Sequence, residues 1–290
     1  MKNSILKLSV IGIVSLLSIN IFAQDYVYKG INEVEATIGM GMNQKENGSN
    51  ETIVATECYD PANIGKRISA QGCDGLLIVD NDSLRQMVLN DENYADTNIF
   101  TGQVTDMSFL FCNYNGVNET FSSKCTQKNP IYSISSWNTG NVVNMQNMFQ
   151  LSSYNQLLNN WDVSNVKNMS YMFRDSLFNQ PLNNWDVSNV KNMSNMLYRS
   201  KYNYPLNNWN VNNVTDMKRL FQYSNFNQPL DNWDVSNVND MSYMFFYAQS
   251  FNQDISNWCV SNISNKSHNF DTNSGFENQT QLQPQWGSCP

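Results

Sequence analysis

The chain has 290 residues, a formal net charge of −8, and charged residues that make up 14 % of the total. An acidic chain disfavours contacts with phosphate backbones, so no nucleic-acid partner is predicted. The single histidine, His268, and the lack of a Gly-rich phosphate loop or a Gly-x-Ser-x-Gly turn argue against an enzyme. No cofactor is predicted.

Residues 1–23 have the pattern of a secretory signal peptide. Lys2 and Lys7 form a charged start, residues 8–22 an apolar run, and Ala23 a small residue before the cleavage point. No later segment is apolar enough to cross a bilayer, so stable membrane insertion is not expected. The pattern predicts a secreted or cell-surface protein.

The next two segments differ in composition. Residues 24–57 contain few large apolar residues and are predicted to be a flexible N-terminal segment. Residues 58–98 are predicted to form an N-terminal cap, with a strand at Leu76–Val79 and a helix capped by Asp82 or Ser83. The predicted inner face of that helix consists of Leu84, Met87 and Val88.

Six cysteines in an exported chain indicate three disulfides. About fifteen connectivities are possible, and zinc is the competing interpretation, but no Cys-x-x-Cys pair is present. Short sequence separations favour local pairs, namely Cys58–Cys73, Cys112–Cys125 and Cys259–Cys289.

Tryptophan recurs through the second half of the chain at steps of 24, 24, 24, 24 and 25 residues. Such a period indicates one supersecondary unit stacked repeatedly, with each unit covering the apolar residues of the next. The recurring tryptophans are Trp137, Trp161, Trp185, Trp209, Trp233 and Trp258.

Each repeat has two apolar rhythms. Trp161 and Val163 alternate with polar residues as in a strand with one buried face. Met169, Met172 and Phe173 then follow a helical or 3₁₀ spacing. The repeat is therefore predicted to contain one short strand, a turn, and one short helix or 3₁₀ turn, with its tryptophan in the core.

Polar residues also recur. The asparagine four positions after each tryptophan predicts a stacked amide ladder, with contact to a metal or ligand as the alternative. The outward polar row is the predicted binding face, with hydrogen bonds within the row or a bound cation as alternatives. Its candidate residues are Asp162, Ser164, Asp186, Ser188, Asn210, Asp234 and Ser236.

An insert at 112–130 interrupts the first repeats. It carries Tyr114 and Phe121, and inserts of this kind protrude from one edge of a repeat array. These two residues are further candidates for partner binding. The alternative is a bulge held by a disulfide and without a ligand.

The string WDVSNVKNMSYMF (161–173), the recurring FNQPLNNW and the ending PQWGSCP resemble the BspA-like leucine-rich-repeat surface proteins over roughly 76–290. The resemblance implies a curved solenoid with parallel strands on one face and short helices on the other, together with surface display and protein or matrix binding. The expected fold is thus an α/β repeat solenoid over 99–258, capped at both ends. Residues 259–290 are the expected C-terminal disulfide cap.

The expected function is adhesion or recognition, with a host or matrix protein or another cell-surface protein as partner. A self-associating structural component of the cell envelope is the first alternative, and a glycan-binding module is another, although no exposed aromatic residue is expected on the strand face. Outward residues are nearly uniform along the predicted strand face, which favours lateral self-packing, and they vary along the predicted helix face, which favours a unique ligand. The varied residues are Asn147, Tyr171, Asn195, Arg219 and Tyr243.

Overall fold

A computed structural model describes residues 56–114 and 125–290, without the side chains of 113–114 and 125–127. The predicted signal peptide (1–23) and nearly all of the predicted flexible segment (24–57) lie outside the described residues. So does Phe121 in the insert. All of the described residues belong to one compact unit.

The N-terminal part contains one strand and one helix. Strand β1 spans Leu77–Ile78 and helix α1 spans Asn81–Leu89, after 3₁₀ turns at Thr56–Tyr59 and Pro61–Asn63. Asp80 caps α1, whereas the sequence indicated Asp82 or Ser83 as the cap. The reason is a reciprocal pair of bonds, since the Ser83 N–H donates to Asp80 Oδ1 at 2.9 Å and the Asp80 N–H donates to Ser83 Oγ at 2.8 Å.

This part is joined directly to the first repeat. Strand β2, Ile99–Phe100, pairs in parallel with β1, and the Arg85 guanidinium donates to the Ser108 carbonyl at 2.8 Å. The inner face of α1 belongs to the same apolar core as the repeats and consists of Leu84, Met87 and Val88. The helix therefore shares its buried surface with the start of the array.

The tryptophans lie inside the stack. All six are between 1 % and 4 % exposed, which confirms that they are core residues. The Trp185 ring is parallel to that of Trp209, with centroids 6.5 Å apart. Each indole also donates to a backbone carbonyl from an earlier part of the chain, as Trp209 Nε1 does to Leu182 at 3.0 Å. Burial and a directional bond thus fix the same side chain.

The Trp-x-Val segment is not an extended strand. The Trp161 N–H donates to the Leu158 carbonyl at 3.1 Å, and the Val166 N–H donates to the Val163 carbonyl at 2.9 Å. These three-residue spacings are two successive turns. Between these turns Trp161 and Val163 are buried and Asp162 is partly exposed, and this alternation is why the sequence pattern suggested a strand.

The Met-x-x-Met-Phe segment is likewise not a helix. The Met172 N–H bonds Met169 within the repeat, but the N–H groups of Tyr171 and Phe173 bond Ser194 and Met196 of the next repeat. Backbone donors thus alternate between local turns and the neighbouring repeat. Single parallel bridges also join equivalent residues of successive repeats, in the order Asp106, Asn144, Asn168, Asn192, Asp216 and Asp240.

The insert begins and ends in a short antiparallel pair. Strand β3 spans Cys112–Tyr114 and strand β4 spans Cys125–Gln127, with Cys112 opposite Gln127. Cys112 is disulfide-bonded, and the side chain of Cys125 lies outside the described residues.

The C-terminal part folds back on the last repeat. Cys259 is bonded to Cys289, just as Cys58 is bonded to Cys73 in the N-terminal part. Phe276 is buried against Phe245, with ring centroids 5.4 Å apart. A further 3₁₀ turn spans Thr280–Leu282. Aromatic burial and a covalent link together hold this segment in place.

Two features, namely a membrane-spanning helix and a cluster of metal-binding side chains, are absent from the described residues. None of their helices has the length and apolar character that a bilayer-crossing segment requires. Among the same residues, no group of three or more His, Cys, Asp or Glu side chains is arranged to hold a metal ion.

Candidate functional site

The recurring asparagines bond one repeat to the next. Asn189 Nδ2 donates to the Ser164 carbonyl at 2.7 Å, and Asn213 Nδ2 donates to the Ser188 carbonyl at the same distance. These amides connect turns that have no strand pairing of their own. The predicted amide ladder is therefore confirmed, and equivalent bonds are made by Asn141, Asn165, Asn237 and Asn262.

The polar row predicted to bind a partner has a role in the fold. Asp162 Oδ1 accepts the backbone N–H of Ser164 at 2.9 Å, and Asp186 Oδ1 accepts that of Ser188 at 3.0 Å. Such Asx turns give each acidic side chain a local donor. The same bond joins Asn210 to Asn212, and Asp234 to Ser236.

A shallow, open groove of about 390 Å³ lies on this asparagine side. Its ladder amides, including those of Asn213 and Asn237, already donate to backbone carbonyls. The remaining candidates, Tyr114 and Phe121, are in the insert, and the side chain of neither lies within the described part of the chain. The described residues of the predicted row thus form successive turns of the repeats, and binding of a partner by this row stays a prediction.

Three positions of the repeat are more variable than those just described, namely the tenth, thirteenth and fourteenth after the tryptophan. Their residue types change from repeat to repeat, and we call them the display positions. In the five repeats that begin at Trp137, Trp161, Trp185, Trp209 and Trp233, the tenth position holds Asn147, Tyr171, Asn195, Arg219 and Tyr243; the thirteenth holds Gln150, Arg174, Tyr198, Gln222 and Phe246; the fourteenth holds Leu151, Asp175, Arg199, Tyr223 and Tyr247.

The tenth and fourteenth positions have left-handed backbone conformation in all five repeats, with φ between 50° and 61°. For residues other than glycine this conformation costs about 1–2 kcal/mol, and asparagine tolerates it best. Two of the repeats use asparagine at the tenth position, yet others place Arg219 or Tyr243 there. Large side chains therefore occupy a backbone conformation that costs free energy at these positions.

Aromatic rings at the display positions form one connected surface. The Tyr223 ring lies 5.8 Å from that of Tyr198, 5.7 Å from that of Phe246 and 5.3 Å from that of Tyr247. Tyr223 is 41 % exposed and Tyr247 is 39 % exposed. We call this surface the tyrosine patch; it comprises Tyr171, Tyr198, Tyr223, Tyr243, Phe246 and Tyr247.

Arginines lie between and beside these rings. The Arg174 guanidinium is 4.6 Å from the ring centre of Tyr198 and 5.5 Å from that of Tyr171, which places it in cation–π contact with both. Asp175 accepts from Arg174 at 3.2 Å and lies 3.4 Å from Arg199. One carboxylate therefore faces two guanidinium groups.

Arg219 has a different environment. Its guanidinium lies 5.1 Å from the ring centre of Tyr243, and its Nε is buried without a hydrogen-bond partner. Within the described residues it forms no ion pair. A charged group held on a ring and left without an acceptor can bind an anionic group from another molecule.

The sequence contained two signals for this site. Variation at the tenth position marked Tyr171, Arg219 and Tyr243, although they were interpreted as a helix face. The recurrence of tyrosine at the fourteenth position of adjacent repeats, Tyr223 and Tyr247, is a second signal. The left-handed backbone could not be predicted, because neither tyrosine nor arginine favours it.

Comparison with known proteins identifies one family. Residues 115–224 and 199–286 match the family model described as Mycoplasma protein of unknown function, DUF285. No curated protein and no solved structure matches the chain. The match supports the repeat resemblance, but it does not extend to leucine-rich repeats specifically.

Proposed function

The chain belongs to the DUF285 family, and we propose that this member is a non-enzymatic surface protein that recognises another protein through its tyrosine patch. The partner is a host or matrix protein or a protein of another cell surface. Export through residues 1–23 and a leucine-rich-repeat-like solenoid are parts of the same proposal.

One observation carries the proposal. The polar residues that recur along the repeats form hydrogen bonds within the molecule, as Asn189 and Asp186 illustrate, whereas the fourteenth positions of two adjacent repeats hold the exposed rings of Tyr223 and Tyr247. Tyrosine and arginine are enriched at the energetic centres of protein interfaces. Tyr223 and Tyr247 also have hydroxyl groups without a hydrogen-bond partner among the described residues, so these groups can bond a partner.

Stacking supports the solenoid part of the proposal. Successive repeats are joined by parallel backbone bridges, and their tryptophans are stacked with centroids 6.3–6.5 Å apart in three neighbouring pairs. Nearest-neighbour contacts of this kind are typical of solenoids. A solenoid presents the same position of each repeat in a row, which would align the display positions.

The test is binding of the secreted chain to immobilised fibronectin, laminin and collagen, and to whole cells. We expect the double variant Tyr223→Gly and Tyr247→Gly to lose most binding while its melting temperature stays equal or rises, because glycine relieves the left-handed strain. The matched control is Asn189→Ala, which should lower the melting temperature and leave binding by the folded fraction unchanged. Full binding by the glycine variant would contradict the proposal.

The envelope alternative has a separate readout. A self-associating component would sediment faster as its concentration rises and would bind none of the immobilised proteins. A glycan-binding module would instead bind immobilised oligosaccharides, through exposed aromatic rings of the repeats. Either result would replace protein recognition as the function.

A further inference from the structure

The charge around the tyrosine patch is opposite to that of the whole chain. The chain carries a net −8, but the patch has Arg174, Arg199 and Arg219 against the single carboxylate of Asp175. Arg199 is 62 % exposed in its side chain, so its charge faces solvent. Lys218 beside the patch is paired with Asp240 at 3.5 Å and adds no net charge.

The positions of these cations indicate the kind of anion that fits. A ring separates two of the guanidinium groups, because Tyr198 lies in the repeat between those that carry Arg174 and Arg219, and it contacts both Arg174 and Tyr223. A polyanion with a charge on every unit requires a continuous row of cations, and here Asp175 would repel it. A chain with few carboxylates and apolar side chains between them matches the alternation of ring and cation.

We propose that the tyrosine patch accepts an acidic segment of the partner protein, with a carboxylate bound to the Arg219 guanidinium and apolar side chains lying on Tyr223 and Tyr247. The inference rests on the proposed function and names the partner's chemistry. Arg219 is suited to this contact because Tyr243 already holds its guanidinium and no described acid occupies it. Little ordering of the arginine remains to be done on binding.

The test uses a labelled synthetic peptide of Glu-Phe-Ser repeats and the same peptide with glutamine in place of glutamate. We expect the glutamate peptide to bind the full chain, and we expect this binding to weaken as the salt concentration rises. The glutamine peptide should bind about tenfold more weakly, as expected from losing a charge-assisted hydrogen bond. Arg219→Gln should cause a similar loss, and Lys167→Gln, which removes one exposed charge on the asparagine side, should cause none.

Arg199→Gln provides a second variant. It is expected to fold normally, because that side chain is largely in solvent. It should weaken binding of the glutamate peptide and leave the other properties of the protein unchanged. Equal binding of the two peptides, or unchanged binding in both arginine variants, would overturn the inference. Tight competition by heparin would overturn it in favour of an anionic glycan.

Two outcomes separate this inference from the proposed function. If Tyr223→Gly with Tyr247→Gly abolishes matrix binding while Arg219→Gln and Arg199→Gln retain it, protein recognition stands and the acidic partner is wrong. Concentration-dependent self-association that disappears in Arg219→Gln would identify a second copy of this chain as the occupant, and would also overturn the inference.

Discussion

At two positions of the repeat, a buried hydroxyl or carboxyl group makes one residue less stabilising than the residue at the same position of the other repeats. Tyr202 is fully buried, its hydroxyl has no hydrogen-bond partner, and burial raises the pKa of its phenol far above its ordinary value. The backbone of Leu182 offsets part of this pKa shift, but it forms no hydrogen bond of normal geometry with the hydroxyl. The equivalent residue in the adjoining repeats is phenylalanine, at Phe178 and Phe226.

We therefore expect Tyr202→Phe to raise the free energy of unfolding by about 1 kcal/mol, because an unsatisfied buried hydroxyl costs about 1–3 kcal/mol and the ring is retained. Denaturant unfolding measures the change. Phe226→Tyr makes the reverse substitution at the next repeat and should destabilise by a similar amount. A loss of stability in Tyr202→Phe would show that the hydroxyl has an effective acceptor.

Asp216 is the second such residue. Burial, with a smaller effect of Asp240, raises the pKa of the Asp216 carboxyl above its ordinary value, while the Lys218 backbone offsets part of the shift. Since the folded-state pKa exceeds the unfolded one, the associated stability is present in acid and is lost as pH rises through the folded-state pKa. The ionised group therefore weakens the fold at neutral pH.

Asp216→Asn should remove this pH dependence and raise stability at pH 7 by less than about 1 kcal/mol, a small amount because the group is partly in solvent. The equivalent residues Asn144, Asn168 and Asn192 show that the site accepts asparagine. Unfolding measured from pH 3 to 7 compares this variant with Asp234→Asn, an exposed site that should show almost no change. A gain that is equal at all pH values would exclude ionisation as the cause.

At the scale of elements, the repeat is held by turns whose left-handed residues have no sequence signature. Leu151 lies at such a position, with φ of 61°. Asparagine tolerates this conformation, whereas a β-branched residue is most hindered in it. We expect Leu151→Asn to be at least as stable as the wild type and Leu151→Val to be less stable by about 1–2 kcal/mol. Thermal unfolding of the pair provides the measurement, and equal melting temperatures would mean that the backbone strain is negligible.

The core could be predicted from the sequence and the local backbone could not. Tryptophan and valine spacing marked residues such as Trp185 and Val187 as buried, because burial follows from periodicity alone. That periodicity does not distinguish a strand from two successive turns. The turns arise from Asp186, which accepts the N–H of Ser188 locally, and from Asn189, whose hydrogen bond requires the neighbouring repeat. The candidate site escaped prediction for the same reason, since its left-handed residues are set by inter-repeat bonds.

At the scale of the whole molecule, the described ends of the array are each closed by a covalent link. Cys58–Cys73 spans 15 residues at one end and Cys259–Cys289 spans 30 residues at the other. Loops of these lengths correspond to about 3 and about 3.6 kcal/mol of stabilisation in the chain-entropy model. If stability spreads by nearest-neighbour contacts, as in a solenoid, each loss should be local.

We expect Cys259→Ser with Cys289→Ser to release the C-terminal part first. Amide hydrogen exchange should then accelerate at Val260 and Phe270, while amides near Trp161 keep their protection. The matched variant Cys58→Ser with Cys73→Ser should accelerate exchange near Leu77 and leave Phe270 protected. A uniform loss of protection in both variants would mean that the chain unfolds as one cooperative unit. That result would contradict the proposed solenoid, because contacts limited to adjacent repeats cannot couple its two ends so tightly.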